Sequence, residues 1–342
     1  MIAAATYMGY WFGGVRPYVW ILVFSALLLL MNLRSVGSYG RSEFWLSMVK
    51  VVTIVAFIVI GAALLLGRQV SPQYNAQGGF FPHGLLSPLL AMTFAIYSFG
   101  GVEMVAVTTG ESRSAKNTPR AVWLTFLTLS FVYIGAMVVL IGVMPWNHAG
   151  VTESPFVTVF RAAKIPRASS VMNFVVLTAA LSGANAALYV GSRMLFSLSR
   201  GGWAPTRLGR LNKSGSPQYA VLVSSFGILF ALAVDLWAPE NAFRYVVGAA
   251  FTGMILSWLV SLAAHVNFRR RHSSAELSAL PLRSPLGKWG SILGFVLVTI
   301  ALLQTWLSPL VNLWSGLACL AVLVMAYRFA KPHREDTNAR SR

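Results

Sequence analysis

Of 342 residues, 56% are hydrophobic and 11% are charged, against about 25% charged in soluble domains, which excludes an ordinary soluble globular fold. The 27 Lys and Arg outnumber the 9 Asp and Glu, giving +18, and the placement of that charge decides between a nucleic-acid surface and a membrane. One cysteine, Cys319, excludes an internal disulfide framework, a Cys-based zinc site and a cluster-binding site, and five scattered histidines argue against a metal enzyme.

Residues 1–12 (MIAAATYMGYWF) are apolar but too short to cross a bilayer. They lack the basic start and cleavage site of a signal peptide, so they read as the end of a helix. Nine stretches then supply roughly the 20 apolar helical residues that a bilayer about 30 Å thick requires. They fall at 17–33, 44–66, 85–110, 121–145, 171–197, 218–238, 243–267, 289–306 and 308–330. GGFFPHG at 78–84 leads into the third and MPWN at 144–147 ends the fourth, both as Gly or Pro breaks. Between the fourth and fifth, an amphipathic stretch suits a short surface helix. The end of the chain, 331–342, is charged and is expected to be disordered.

The connections alternate in charge. Nineteen basic residues lie on one side, with Arg269, Arg270 and Arg271 the densest run, and six lie on the other. By the positive-inside rule the C-terminus is cytoplasmic and residue 1 is outside. Charge spread over every inner loop is a topology signal, so no nucleic-acid partner is expected; the partner is the lipid bilayer.

Three spans carry polar groups that a lipid-facing helix would not. The third holds Ser98, Gly100, Gly101 and Glu103 near its middle. Adjacent glycines weaken a helix, and a carboxylate at that depth costs about 2.5–3.5 kcal/mol on insertion scales. A Gly-interrupted span points to an unwound solute site of the kind found in transporters. A close helix crossing, with Glu103 neutral and hydrogen-bonded to a neighbour, is the other reading.

Lys50 lies inside the second span, about 10 Å along the helix from Glu43 at its inner end. It either snorkels to the interface or serves as a proton-exchanging or tethered cation in low dielectric. The fifth span is polar at Asn173, Thr178, Ser182, Asn185 and Ser192, and Ser182 and Asn185 share a face. Those two either line a site or join helices by hydrogen bonds.

The strings AAATYMGYWF, EFWLSMVKVVTIVAF, GGFFPHG, YSFGGVEMVAVTTGES, NTPRAV, MPWN, SPFVTVF and MNFVVLTAALSGANAALYVGSRMLFSLSRGGWAP occur in that order over nearly the whole chain. With the FRRR that closes the seventh span, they resemble bacterial amino acid permeases of the amino acid/polyamine/organocation superfamily. The resemblance implies twelve helices, the first ten forming two inverted five-helix repeats around a central site. On that template residues 1–12 end helix three, and helices one, two and most of three are absent. The absent part includes the Gly-rich break that takes the substrate carboxylate in the family.

The resemblance also implies roles. Tyr97, Ser98, Phe99, Gly100 and Gly101 match the broken segment that receives the substrate ammonium. Glu103 matches that segment's gating or proton-linked carboxylate. Lys50 matches a lysine standing where sodium-coupled cousins hold an ion, which points to proton coupling. Ser182 and Asn185 lie on the helix-eight face nearest the site.

The expected fold is an all-α membrane protein: nine transmembrane helices plus an N-terminal stub, helices four to twelve of a 5+5 inverted-repeat transporter. Residues 1–66 form the remnant of the first repeat, 67–267 the second repeat, 268–330 helices eleven and twelve, and 331–342 a cytoplasmic tail. The expected function is proton-coupled amino acid uptake across the cytoplasmic membrane, with amino acid exchange and a truncated, non-transporting fragment as alternatives. No enzyme activity, metal or organic cofactor is expected. There is no nucleophile with an orienting base and no nucleotide loop.

Overall fold

The computed structural model describes residues 1–34, 36–75, 81, 84–103, 105, 118–148, 155–238, 242–280, 282–307 and 313–340. Among the described residues every regular element is helical: α1 (Ile2–Gly9), α2 (Pro17–Leu33), α3 (Val36–Leu66), α4 (Ser87–Ser98), α5 (Thr118–Val143), α6 (Pro155–Ala162), α7 (Ala168–Arg200), α8 (Gln218–Trp237), α9 (Ala242–Arg271), α10 (Ser274–Ser278), α11 (Gly287–Leu307) and α12 (Leu313–Arg340). Two 3-10 turns, Trp146–His148 and Thr206–Gly209, join them.

Among the described residues, five helices are long and apolar enough to cross a bilayer: Gly40–Leu66, Pro119–Val143, Ala168–Arg200, Tyr245–Arg271 and Gly287–Thr305. Shorter apolar helices run over Pro17–Leu33, Gln218–Val234 and Trp314–Arg328. The third expected span, 85–110, is interrupted, because α4 stops at Ser98 and a turn occupies 99–103. Its residues 106–110, and most of the GGFFPHG turn, lie outside the described residues. The expected amphipathic surface helix is α6.

The chain divides into two compact units. The first comprises Met1–Pro82, Ser130–Ala238 and Phe329–Arg342; the second comprises His83–Leu129 and Pro239–Arg328.

The first unit is organised around α7, which packs against α1, α2, α3, α6 and α8. Thr178, Ser182, Asn185, Tyr189 and Ser192 of α7 are all buried, a stripe at alternating spacings of four and three residues. Val171, Phe174, Met194 and Leu198 of the same helix are exposed. This reverses the usual arrangement of a water-soluble helix, because lipid solvates the apolar side and helix contacts satisfy the polar one.

One end of the first unit has an apolar core of Phe57, Leu64, Val139, Val143, Val159 and Phe160, with the Phe57 and Phe156 rings 4.6 Å apart. There α3 and α5 approach closely: a Cβ built on Gly61 would lie 2.1 Å from Val139 Cγ1. The loop between α7 and α8 is tied to the end of α2. Asn212 Nδ2 donates to Leu33 O at 2.9 Å and Ser216 Oγ donates to Asn32 O at 2.8 Å.

In the second unit α11 packs against α9 and α4. Phe251, Ile255, Val298 and Leu302 form its buried core.

Candidate functional site

In the first unit, α3 presents Glu43, Ser47 and Lys50 at positions i, i+4 and i+7, which share one helix face. Facing them on α7 are Ser182, 1% exposed, and Asn185, fully buried. Lys50 Nζ donates to Ser182 Oγ at 2.6 Å, and Ser182 Oγ donates in turn to Glu43 Oε1. Ser47 Oγ donates to the same Oε1 at 3.1 Å, and Asn185 Nδ2 donates to Oε2 at 3.0 Å. Asn32, at the end of α2, donates through Nδ2 to Asn185 Oδ1 at 2.9 Å and to Leu28 O at 2.9 Å. Its own Oδ1 is buried and has no hydrogen-bond partner among the described residues.

A carboxylate and an ammonium are therefore held one hydroxyl apart among three apolar helices. Both side chains are half-buried, and hydrogen bonds reach both charges. The structure brings together three of the sequence-predicted residues, Lys50, Ser182 and Asn185. It adds Glu43, read from sequence as the inner end of a span, and Asn32, which drew no notice. Two signals were available. Glu43 and Lys50 are two helical turns apart, and Asn32 is the last polar residue in an otherwise almost wholly apolar α2.

In the second unit, Tyr97 and Ser98 end α4, while Phe99, Gly100, Gly101 and Glu103 form the turn beyond it. The i to i+4 pattern gives way to three-residue turns: Phe99 N–H donates to Ile96 O at 3.1 Å, Gly100 N–H to Tyr97 O at 2.9 Å and Val102 N–H to Phe99 O at 3.3 Å. Gly101 has φ of +99°, a conformation that residues with a Cβ rarely adopt. This is why the helix ends at the glycine pair. Gly100 is needed for a second reason, since a Cβ there would meet Met254 Sδ at 2.7 Å and Tyr97 O at 3.1 Å.

Glu103 folds back on the break. Its Oε2 accepts from Gly101 N–H at 3.0 Å and from Trp258 Nε1 at 3.2 Å. The Tyr97 ring lies 5.3 Å from that of Phe251. Phe251, Met254 and Trp258 are i, i+3 and i+7 on α9, so one face of that helix serves the whole break.

Residues 1–330 match the family described as amino acid permease, and the chain belongs to that family. It is 33% identical over 313 residues to the aromatic amino acid transport protein AroP of Escherichia coli K12, covering 89% of this chain and 68% of that protein. It is 34% identical over 293 residues to the gamma-aminobutyric acid permease of Bacillus subtilis, covering 82% of this chain and 62% of the relative. The amino-acid permease RocC of Bacillus subtilis is 33% identical over 342 residues, 96% of this chain and 72% of the relative. The chain thus spans about two-thirds of the length of these relatives. It is a multi-pass membrane protein of a transporter family, and members of that family are not enzymes.

Proposed function

We propose that this protein works in the uptake of amino acids across the bacterial cytoplasmic membrane, by alternating access and with protons as the coupling ion. The observation that carries the proposal is the interrupted helix at Ser98–Glu103. A helix abandons its regular hydrogen bonds inside hydrocarbon only where the exposed backbone lines protein or a solute path. The turn at 99–103 directs backbone groups at a position where an α-ammonium would be received, with Tyr97 and Phe99 beside it and Glu103 as the gating carboxylate. In the first unit, Ser182 and Asn185 are the residues that the family resemblance assigns to the substrate. Lys50 supplies the fixed, exchangeable positive charge that permits coupling to protons.

In this reading the spans are helices four to twelve of a 5+5 inverted-repeat transporter. Residues 1–66 belong to the first repeat and 67–267 to the second, with 268–330 as helices eleven and twelve and 331–342 as the tail. The excess of basic residues on one side places the C-terminus in the cytoplasm. The names of the relatives make aromatic amino acids and gamma-aminobutyric acid the first substrates to try.

The test is uptake of labelled phenylalanine and 4-aminobutyrate into vesicles holding the full chain, with and without an inward proton gradient. Gradient-driven uptake that is lost in Glu103→Gln and in Lys50→Ala is expected. Uptake that needs internal amino acid and ignores the gradient would make the protein an exchanger. Gradient-driven uptake retained in both variants would refute the roles given to the two residues.

A further inference from the structure

The hydrogen bonds between α3 and α7 are directional, and the direction has a consequence for proton coupling. Lys50 donates to Ser182, and Ser182 donates to Glu43. Three side-chain donors converge on the Glu43 carboxylate, from Ser47, Ser182 and Asn185. In this arrangement the proton sits on Lys50 and the carboxylate is the acceptor. We infer that Glu43, Ser182 and Lys50 form a proton relay, in which Glu43 is the group that exchanges protons with the aqueous phase and Ser182 passes them to and from Lys50. The inference rests on the proton-coupled reading above and extends it to a residue that reading does not use.

The step balances without any other reactant. An Nζ–H bond of Lys50 breaks as Ser182 Oγ gains that proton. The original Oγ–H bond breaks as Glu43 Oε1 gains its proton. The outcome is a neutral amine and a neutral carboxylic acid, with the serine hydroxyl restored. Such a neutral pair is the form in which buried charge is cheapest when the helices move apart.

Position supports the assignment of the exchanging end. The apolar span of α3 runs over Gly40–Leu66, so Glu43 lies three residues inside its start and Lys50 ten, or about 5 Å and about 15 Å along the axis. Exposed Arg41 marks the nearby boundary.

Among the described residues of the helices packed against α3, no second carboxylate stands beside Glu43. On α2, which packs against α3, the ionisable group within the helix is Tyr18 near the opposite end, and the cation Arg34 caps the near end. On α7 the charges are Arg193 and Arg200. Arg193 is eleven residues past Ser182, roughly 16 Å along the helix, with its guanidinium 4.8 Å over the Tyr189 ring. On α6 the charge is Arg161, and that helix meets α3 at the Phe57 end.

The experiment is a pH jump on the full chain in phosphatidylethanolamine–phosphatidylglycerol vesicles, followed by time-resolved infrared difference spectroscopy of the carboxylic-acid carbonyl band. Acidification is expected to raise a band that is missing in Glu43→Gln. In a second jump, from alkaline pH at which Lys50 has lost its proton back to neutral pH, return of the proton to Lys50, read from the ammonium bands, is expected to be about a hundredfold slower in Ser182→Ala, the low end of what a positioned proton-transfer group contributes. Ser182→Thr keeps a hydroxyl and is expected to restore the wild-type rate. A band that persists in Glu43→Gln, or a Ser182→Ala rate equal to wild type, would overturn the relay.

Phenylalanine and 4-aminobutyrate uptake measured on the same vesicles separates the two ideas. If both substrates fail while the infrared pattern holds, the relay stands and the transport reading falls. If gradient-driven uptake is identical in wild type and Ser182→Ala, the relay falls and the transport reading stands.

Discussion

Asn185 of α7 donates to Glu43 of α3 at 3.0 Å, joining two residues 142 positions apart in the sequence. The same amide accepts from Asn32, so one side chain links α2, α3 and α7 at the centre of the first unit. Asn185→Leu would leave a carboxylate oxygen and the Asn32 amide without this partner. The expected loss is about 2–6 kcal/mol, at about 1–3 kcal/mol for each of the two groups left unsatisfied. Thermal unfolding in detergent measures it. Asn185→Asp places a second carboxylate against Glu43, and its destabilisation should shrink on acidification, whereas that of Asn185→Leu should not.

The break in the second unit depends on two glycines for different reasons, and the variants should separate them. A Cβ at Gly101 meets nothing within 4 Å, so Gly101→Ala suffers only from the positive φ, about 1–2 kcal/mol. A Cβ at Gly100 collides with Met254 Sδ. Gly100→Ala should therefore be partly rescued by Met254→Ala, while Gly101→Ala should not. Melting temperatures of the three single and two double variants decide the matter through the coupling term.

Close approach of α3 and α5 rests on Gly61. Gly61→Ala forces its methyl into Val139 and is expected to cost about 1–3 kcal/mol, typical of overpacking. Gly61→Ala combined with Val139→Ala should recover most of that loss. A double variant no more stable than Gly61→Ala would show that the clash is not the cause.

Outside the spans, Ser273 caps α10. Glu276 accepts from the Ser273 N–H at 2.7 Å and from the Ser273 hydroxyl at 3.0 Å. These bonds hold the Glu276 carboxyl below the usual carboxylate range, with the backbone bond the larger cause. A carboxyl lowered on folding contributes stability that is present above its unfolded value and is lost as pH falls through its folded value. Order in Ser274–Ser278 should therefore be full at neutral pH and decline only below the ordinary Glu range. Titration of the Glu276 side chain by NMR should show its midpoint moving up toward the ordinary value in Ser273→Ala.

The apolar runs made α2, α5, α7, α8, α9 and α11 legible to within a few residues, because bilayer thickness and the lack of backbone partners in lipid constrain each segment separately, whereas α3 begins eight residues before its expected apolar run, at Val36. The stop after Ser98 was legible for a similar local reason, since paired glycines favour a turn whatever surrounds them. Lys50, Ser182 and Asn185 stood out singly as polar groups within apolar spans. Glu43 did not, because a carboxylate near the end of a span has an ordinary explanation at the membrane surface. Asn32 did not either, being one amide near the end of an apolar helix.

Sequence alone determined which segments are apolar enough to form membrane helices, where one of them is interrupted and which polar residues lie within them, since each follows from the chemistry of a short stretch. Only the tertiary structure decided that Glu43, Lys50, Ser182, Asn185 and Asn32 form one network and that Glu103 turns back to Gly101 and Trp258. Those partners are set by the rotation and axial register of helices far apart in the chain. A rotation of one residue, about 100°, would carry every member of the network away from the others while leaving the apolar pattern intact.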